Sequence, residues 1–312
     1  MTARRIGRRE FAAVAASTVA AAVLAPLAGC LRAVAPGRQR IPVGIQLYSV
    51  RDDCARDLGR TLAGLAKAGY DGVEYAGYHG RDAKALRALQ DDLGLRCCGT
   101  HTGLDTLLGD EFPRTVEFNL ALGNRYLIVP WLDEERRGSK AAWQKTAAVF
   151  TELAAKAKPH GLRVGFHAHA NEFQVLNGEM PWDIFGAATS PDVILQLDTA
   201  NCLSSGGDPV AELARWPGRA VTVHLKEWSP KKGDAFIGEG DVPWARLLPL
   251  VTGDPATEWM IIEQEEWRLP PVECAARDLE NLRRLLSAKA RRLRPPCRGT
   301  PPSCSRRPST MS

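Results

Sequence analysis

The chain has 312 residues, 45% of them hydrophobic and 25% charged, an ordinary globular composition with enough length to bury a large core. Its formal charge of +5 belongs to its ends: residues 1–40 carry seven Lys/Arg against Glu10 alone, and residues 289–312 carry seven against no acid. The stretch 41–288 holds 27 bases and 35 acids, a net of −8, and an acidic body argues against DNA or RNA as substrate, because phosphate binding needs basic charge on the folded surface.

The N-terminus reads Arg8-Arg9-Glu10-Phe11, then an Ala/Val-rich run from Ala12 to Leu27, then Ala28-Gly29-Cys30. A basic start, a short apolar run and a small-residue site describe a secretory signal over residues 1–30, followed by a linker at 31–40. The run is too short and too rich in alanine for a comfortable membrane span. Arg-Arg-x-Phe resembles a twin-arginine export signal, and Leu27-Ala28-Gly29-Cys30 a lipoprotein box with Cys30 as the lipidated residue. That pathway exports proteins already folded, often with a metal in place. The expectation is an exported protein, periplasmic or membrane-anchored, touching the membrane only through Cys30. Seven further cysteines form no C-x-x-C pair and no zinc-finger spacing, so they read as small buried hydrophobes.

From residue 41 a strand-then-helix alternation sets in. Apolar strand-like runs stand at Val43–Tyr48, Gly72–Tyr75, Arg96–Thr100, Tyr126–Pro130, Arg163–His167, Val193–Asp198, Ala220–Leu225 and Trp259–Glu263. Between them, apolar residues at three- and four-residue spacing predict helices, as in Leu58-Leu62-Leu65-Ala66 and Trp143-Ala147-Phe150-Leu153-Ala154. Gly69, Gly94, Gly123 and Gly161 stand where helices end before the next strand. Eight such units over residues 41–290 predict a single-domain α/β fold, a (β/α)8 TIM barrel. An open doubly wound sheet is opposed by the lack of a G-x-G-x-x-G after the first strand. Residues 291–312, rich in Pro and Arg, read as a disordered tail.

Five of the six histidines (His79, His101, His167, His169 and His224) fall at or just beyond strand C-terminal ends, as do Glu74, Asp198, Glu263 and Glu265. In a barrel that rim is where an active site is assembled. Nine such groups on one face are hard to explain as packing, since buried charge is costly unless paired or metal-bound. Strand alternation puts Ile261, Glu263 and Glu265 on one face, and likewise His167 and His169. Carboxylates mixed with imidazole and without thiolate suit one divalent ion: Mn²⁺, Mg²⁺, Co²⁺ or Zn²⁺.

Several segments taken together resemble the sugar phosphate isomerase/epimerase family of xylose isomerase-like barrels, across residues 41–290. They are Gly44-Ile45-Gln46-Leu47-Tyr48-Ser49-Val50-Arg51-Asp52, Gly69-Tyr70-Asp71-Gly72-Val73-Glu74, His167-Ala168-His169-Ala170-Asn171-Glu172-Phe173, Leu197-Asp198-Thr199-Ala200-Asn201, Val223-His224-Leu225-Lys226, Gly238-Glu239-Gly240-Asp241-Val242-Pro243-Trp244 and Ile262-Glu263-Gln264-Glu265. The resemblance implies one divalent ion held by Glu172, Asp198, His224 and Glu263. It also implies substrate contacts from Glu74, His101, Asn201, Glu265 and Trp228. On strand five the family's better-studied epimerases carry a Glu where this chain has His167, so His167 and His169 stand beside Glu172 as alternative ligand or base. Ala168 replaces the family's usual Asn.

The activity this implies is isomerisation or epimerisation of a sugar or sugar derivative. The ion polarises a carbonyl, and a base (His167, His169 or Glu263) removes the neighbouring proton to give an enediolate. Lys226 either neutralises that charge or forms a salt bridge to Glu263 or Glu265. Tyr48, Tyr75, Trp131, Trp228 and Trp267, near strand ends, could stack on sugar faces. The same machinery could instead eliminate a group from a keto-sugar or keto-glycoside, as a lyase or dehydratase. A non-catalytic, lipid-anchored sugar-binding protein is a further alternative. An endonuclease on the same barrel is opposed by the −8 body. The expected partner is a small carbohydrate, and a homo-oligomer is compatible with the reading.

Overall fold

The computed structural model describes residues 40–292; the signal-like segment with Cys30 and the chain beyond Arg292 lie outside the described residues. The strands are β1 (Val43–Gln46), β2 (Gly72–Tyr75), β3 (Arg96–His101), β4 (Tyr126–Val129), β5 (Arg163–His167), β6 (Ile194–Gln196), β7 (Thr222–Leu225) and β8 (Trp259–Ile262). The helices are α1 (Arg51–Ala68), α2 (Ala83–Asp92), α3 (Phe112–Leu122), α4 (Glu134–Arg137), α5 (Lys140–Ala157), α6 (Pro181–Ala188), α7 (Thr199–Ser204), α8 (Pro209–Arg215), α9 (Trp244–Gly253) and α10 (Pro271–Arg292). The predicted tail, from residue 291, thus overlaps the last two residues of α10.

All strand pairs are parallel, in the order β6-β5-β4-β3-β2-β1-β8-β7. The remaining seam, β6 to β7, is bridged by Leu195 N–H to Arg219 O (3.0 Å), His224 N–H to Leu197 O (2.9 Å) and a parallel bridge between Asp198 and His224. These bonds close the sheet into a (β/α)8 barrel. The four predicted helix-ending glycines all have left-handed φ, from 67° to 100°, where a side chain would be strained.

Strand alternation sorts the side chains into two cores. Leu127, Val129, Val164, Phe166, Leu195, Met260 and Ile262 point outward into the helix layer, and Leu62, Leu65, Trp143, Ala147 and Phe150 meet them from the predicted helix faces. Cys98, Tyr126, Ile128, Ile194, Val221, Trp259 and Ile261 form a smaller cluster inside the barrel. Phe166 shows how the outer layer aims the inner one. Its ring is packed by Trp143, Phe150 and Phe185 at centroid distances of 5.8, 5.9 and 5.2 Å. With Phe166 held outward, the pleat turns its neighbour His167 inward. Cys54, Cys97, Cys98, Cys202 and Cys274 are unpaired and buried, as expected of them. Among the described residues no helix is long and apolar enough to cross a membrane.

Candidate active site

Above the apolar floor, the inward positions turn polar toward the strand C-terminal ends. Ile194 is followed by Gln196, Ile261 by Glu263, and Thr222 by His224. Gln46, Glu74, His167, Gln196, Asp198, Thr222, His224 and Glu263 are all buried. Groups this polar in a closed interior require partners, and all but Asp198 find them in one another.

Glu74, at the end of β2, is the hub. Its Oε2 accepts from Gln46 Nε2 (2.8 Å) and His224 Nε2 (2.6 Å), its Oε1 accepts from Gln196 Nε2 (2.9 Å), and His101 Nε2 lies 3.2 Å from Oε2. Gly99 on β3 faces it, and a methyl group there would overlap the carboxylate. Burial works to raise the Glu74 pKa, but the imidazoles of His101 and His224 hold it below the carboxylate range. His224 has its second nitrogen, Nδ1, 2.8 Å from Glu263 Oε2 and 4.0 Å from Asp198 Oδ2. Burial disfavours its charge, yet the flanking Glu74 and Glu263 raise its pKa to about 10. Glu263 is correspondingly held down to about 2, burial being outweighed by Lys226 and His224.

His167 and Asp198 complete the group. His167 Nδ1 lies 3.0 Å from Gln196 Oε1. Burial, reinforced by the imidazoles of His224 and His101, holds its pKa well below the usual histidine value, so the ring is neutral. Asp198 Oδ1 accepts the N–H of Asn201 at 2.7 Å, whereas its buried Oδ2 has no hydrogen-bond partner. Burial raises the Asp198 pKa to about 6.

His167, Asp198, His224 and Glu263 can each offer one donor atom, all within 4.8 Å of one another. The set fits a divalent cation on two counts. Asp198 Oδ2 is an orphaned buried acceptor, and each imidazole has its far nitrogen occupied by a fixed partner, Glu74 for His224 and Gln196 for His167.

Glu172 does not join this group. It lies in a one-turn 3-10 helix, Ala170–Phe173, and its Oε2 folds back to accept the N–H of His169 at 2.7 Å. The strand-five member is His167, which the β5 pleat turns inward. Nor does the geometry leave Glu74 open to a substrate: it is fully buried and its oxygens are engaged. Asn201 bonds Asp198 through its backbone and Ala168 O through its side chain (3.1 Å). His101 packs against the rings of His167 and His224, with centroids 5.0 and 5.6 Å away.

At the mouth, Lys226 Nζ pairs with Glu265 Oε2 at 2.5 Å, the salt bridge weighed from the sequence. Burial opposes the Lys226 charge, but Asp198, Glu263 and Glu265 raise its pKa and keep it cationic. The ring of His169 meets His167 edge-on at 4.8 Å, on a residue open to solvent. Trp228 is half-buried, on the segment leading into the glycine-rich loop. Glu227 beside it holds that loop, accepting from Trp228, Gly238 and Val242 N–H and from Trp244 Nε1. Tyr48 and Trp131 are exposed, at 45% and 63%. Trp267 is half-buried, its Nε1 donating to Ser49 O at 2.9 Å. Tyr75 is instead fully buried, so it offers no stacking face. His79 takes a left-handed φ of 52° in the exposed loop after β2 and has no place in the cluster.

Sequence reasoning missed Gln46, Gln196, Thr222 and Glu227. The first two carried a signal, a lone amide closing an otherwise apolar strand run.

Comparison with known proteins agrees with this architecture. The chain is 26% identical over 274 residues to the Rhizopine catabolism protein MocC of Rhizobium meliloti, covering 76% of this chain and 84% of that one. It is 24% identical over 274 residues to an inosose dehydratase of Serratia proteamaculans, covering 73% and 91%. Among solved structures, a sugar phosphate isomerase/epimerase from Parabacteroides distasonis superposes with a TM-score of 0.68 at 20% identity, covering 79% of this chain and 95% of that one. An IOLI protein with a binding zinc atom superposes with a TM-score of 0.63 at 15% identity, covering 80% and 99%. Residues 62–285 match the xylose isomerase-like TIM barrel family, and the chain belongs to it.

Proposed function

We propose that this chain is a divalent-metal-dependent enzyme of uncharged keto-sugars or keto-polyols, working as an isomerase or epimerase by removing the proton next to the ketone. The observation that carries the reading is the buried His167/Asp198/His224/Glu263 group with the unpartnered Asp198 Oδ2. These four residues would hold the ion. Bound there, the ion supplies Lewis-acid polarisation of the ketone and charge stabilisation once the proton has left.

The chain's own residues supply the rest. His169, open at the mouth beside His167, is placed to take the proton. Lys226 stays cationic and offers its charge to a developing enolate oxygen while Glu265 orients it. Asp198, Glu263 and Glu265 surround Lys226, and this acidic setting disfavours a phosphorylated substrate. The resemblance of the N-terminal segment to an export signal supports a substrate outside the cytoplasm.

A second reading shares the first step and then expels a β-hydroxyl, which makes the enzyme a dehydratase. The inosose dehydratases among its relatives favour it. One experiment addresses both readings. The purified chain is assayed for bound metal beside Glu263→Ala, then incubated with keto-polyols and ketoses in D₂O. One ion per chain, lost in the variant, together with deuterium at the carbon next to the ketone, supports the proposal. Product lighter by one water selects the dehydratase. A folded wild type that takes up no Mn²⁺, Co²⁺ or Zn²⁺ refutes the metal-dependent enzyme and points to a sugar-binding protein.

A further inference from the structure

An amide side chain is nearly symmetric in shape but not in chemistry, because one end only donates and the other only accepts. Gln196 is fully buried with both ends engaged. Its Nε2 lies 2.9 Å from Glu74 Oε1 and 2.8 Å from Thr222 Oγ1, and its Oε1 lies 3.0 Å from His167 Nδ1 and 3.4 Å from His101 Nε2. The reversed amide would set a carbonyl oxygen against the Glu74 carboxylate, two acceptors with no proton between them. Glu74 therefore decides which way the amide points. An oxygen opposite Nδ1 then requires that nitrogen to carry the proton.

We propose that Gln196 is a positioning residue for His167: its amide, itself oriented by Glu74, keeps the imidazole proton on Nδ1 and leaves the Nε2 lone pair as the ring's available donor. His224 needs no such relay, because Glu74 meets its Nε2 directly and leaves Nδ1 toward Glu263 and Asp198. One carboxylate at the end of β2 thus orients both rings of the cluster, by different nitrogens. The position of Gln196 suits the task, since the pleat places it on the same inward face as Asp198, two residues on.

The test is long-range ¹H–¹⁵N correlation on the metal-free full-length protein labelled with ¹⁵N-histidine, the His167 signals being assigned by their loss in His167→Asn. Wild-type His167 is expected as the Nδ1–H tautomer. Gln196→Leu should move it to Nε2–H or to a mixture, while Gln196→Glu, which keeps an acceptor opposite Nδ1 with its second oxygen protonated toward Glu74, should retain Nδ1–H. Zn²⁺ affinity, read by competition with a chromophoric chelator, should fall roughly 10- to 100-fold in Gln196→Leu. A wild-type ring protonated on Nε2, or a Gln196→Leu ring still on Nδ1–H, overturns the assignment. If Gln196→Leu does not fold, the wild-type signal and Gln196→Glu still decide. The affinity readout rests on the metal role proposed above and the tautomer readout does not. A tautomer change in a chain that binds no Zn²⁺ would refute the metal reading and support this one.

Discussion

Glu74 Oε2 and His224 Nε2 lie 2.6 Å apart with neither side chain exposed, an ion pair sealed beneath the strand ends. Each group keeps the other charged where burial alone would neutralise both. Breaking such a pair from one side leaves an uncompensated charge, and the typical loss is about 3–5 kcal/mol. Glu74→Gln should therefore lower the midpoint of chemical denaturation substantially, in the metal-free protein as well as the loaded one. The substitution also sets an NH₂ group among the donors Gln46, Gln196 and His224, which adds to the loss. An unchanged midpoint would show that Glu74 is not the hub.

Asp198 should behave in the opposite sense. Its Oδ2 is buried without a partner, and burial raises its pKa to about 6. A raised carboxylate pKa stabilises the fold below the unfolded value near 3.8, and this contribution is lost as pH rises through about 6. Asn removes that charge while its side-chain oxygen still accepts the Asn201 N–H. At pH 8 the metal-free Asp198→Asn protein should thus melt above the metal-free wild type, yet bind Zn²⁺ or Mn²⁺ far more weakly. Paired melting curves and metal titrations check both halves, and a variant that melts lower while binding metal normally would contradict them.

The barrel was legible because its signals are local and repeated. Apolar runs, helix-face spacing and terminal glycines such as Gly69 and Gly123 each act within a few residues. The pleat likewise put Glu263 and His167 on inward faces from their own strands. What local pattern could not show was closure over distance. Glu74 meets Gln196 across 122 residues of chain and His224 across 150, so the amides that close apolar runs did not reveal what they bind. Glu172 lies outside the clustered donors for a related reason. The resemblance implied it as a ligand, but a 3-10 turn lets its carboxylate fold back on the His169 N–H. His79 was read by its place at a strand end, and the left-handed turn that takes it away is not written in its side chain.

Lys226 separates binding from chemistry. It pairs with Glu265 at the mouth and is not among the four clustered donors. In Lys226→Met the metal content should match the wild type. The rate constant for turnover should fall by about 10²–10³-fold, the scale seen when one charge-stabilising donor is removed from an active site. Elemental analysis and steady-state kinetics on the same preparation test this. Loss of the metal along with activity would instead make Lys226 a structural support for Asp198 and Glu263.

Asp278, on α10 and outside the clustered donors, offers a stability test that involves no ligand. Its Oδ1 accepts the N–H of Ile237 at 2.7 Å, tying the loop after β7 to the last helix, while its buried Oδ2 has no partner. Burial, with Glu227 and Glu239 nearby, raises its pKa from 3.8 to about 7, outweighing the Ile237 hydrogen bond. The folded chain binds this proton more tightly than the unfolded chain does, so the contribution is complete below about pH 4. It declines as pH rises from there to about 7 and is flat above. At about 1.4 kcal/mol per pKa unit, the lost stability is on the order of a few kcal/mol. Asp278→Asn keeps the acceptor for Ile237 and removes the charge. The difference in melting temperature between variant and wild type should be small at pH 4.5 and widen in favour of the variant by pH 8. A difference that stays constant across that range would show that Asp278 does not titrate within it.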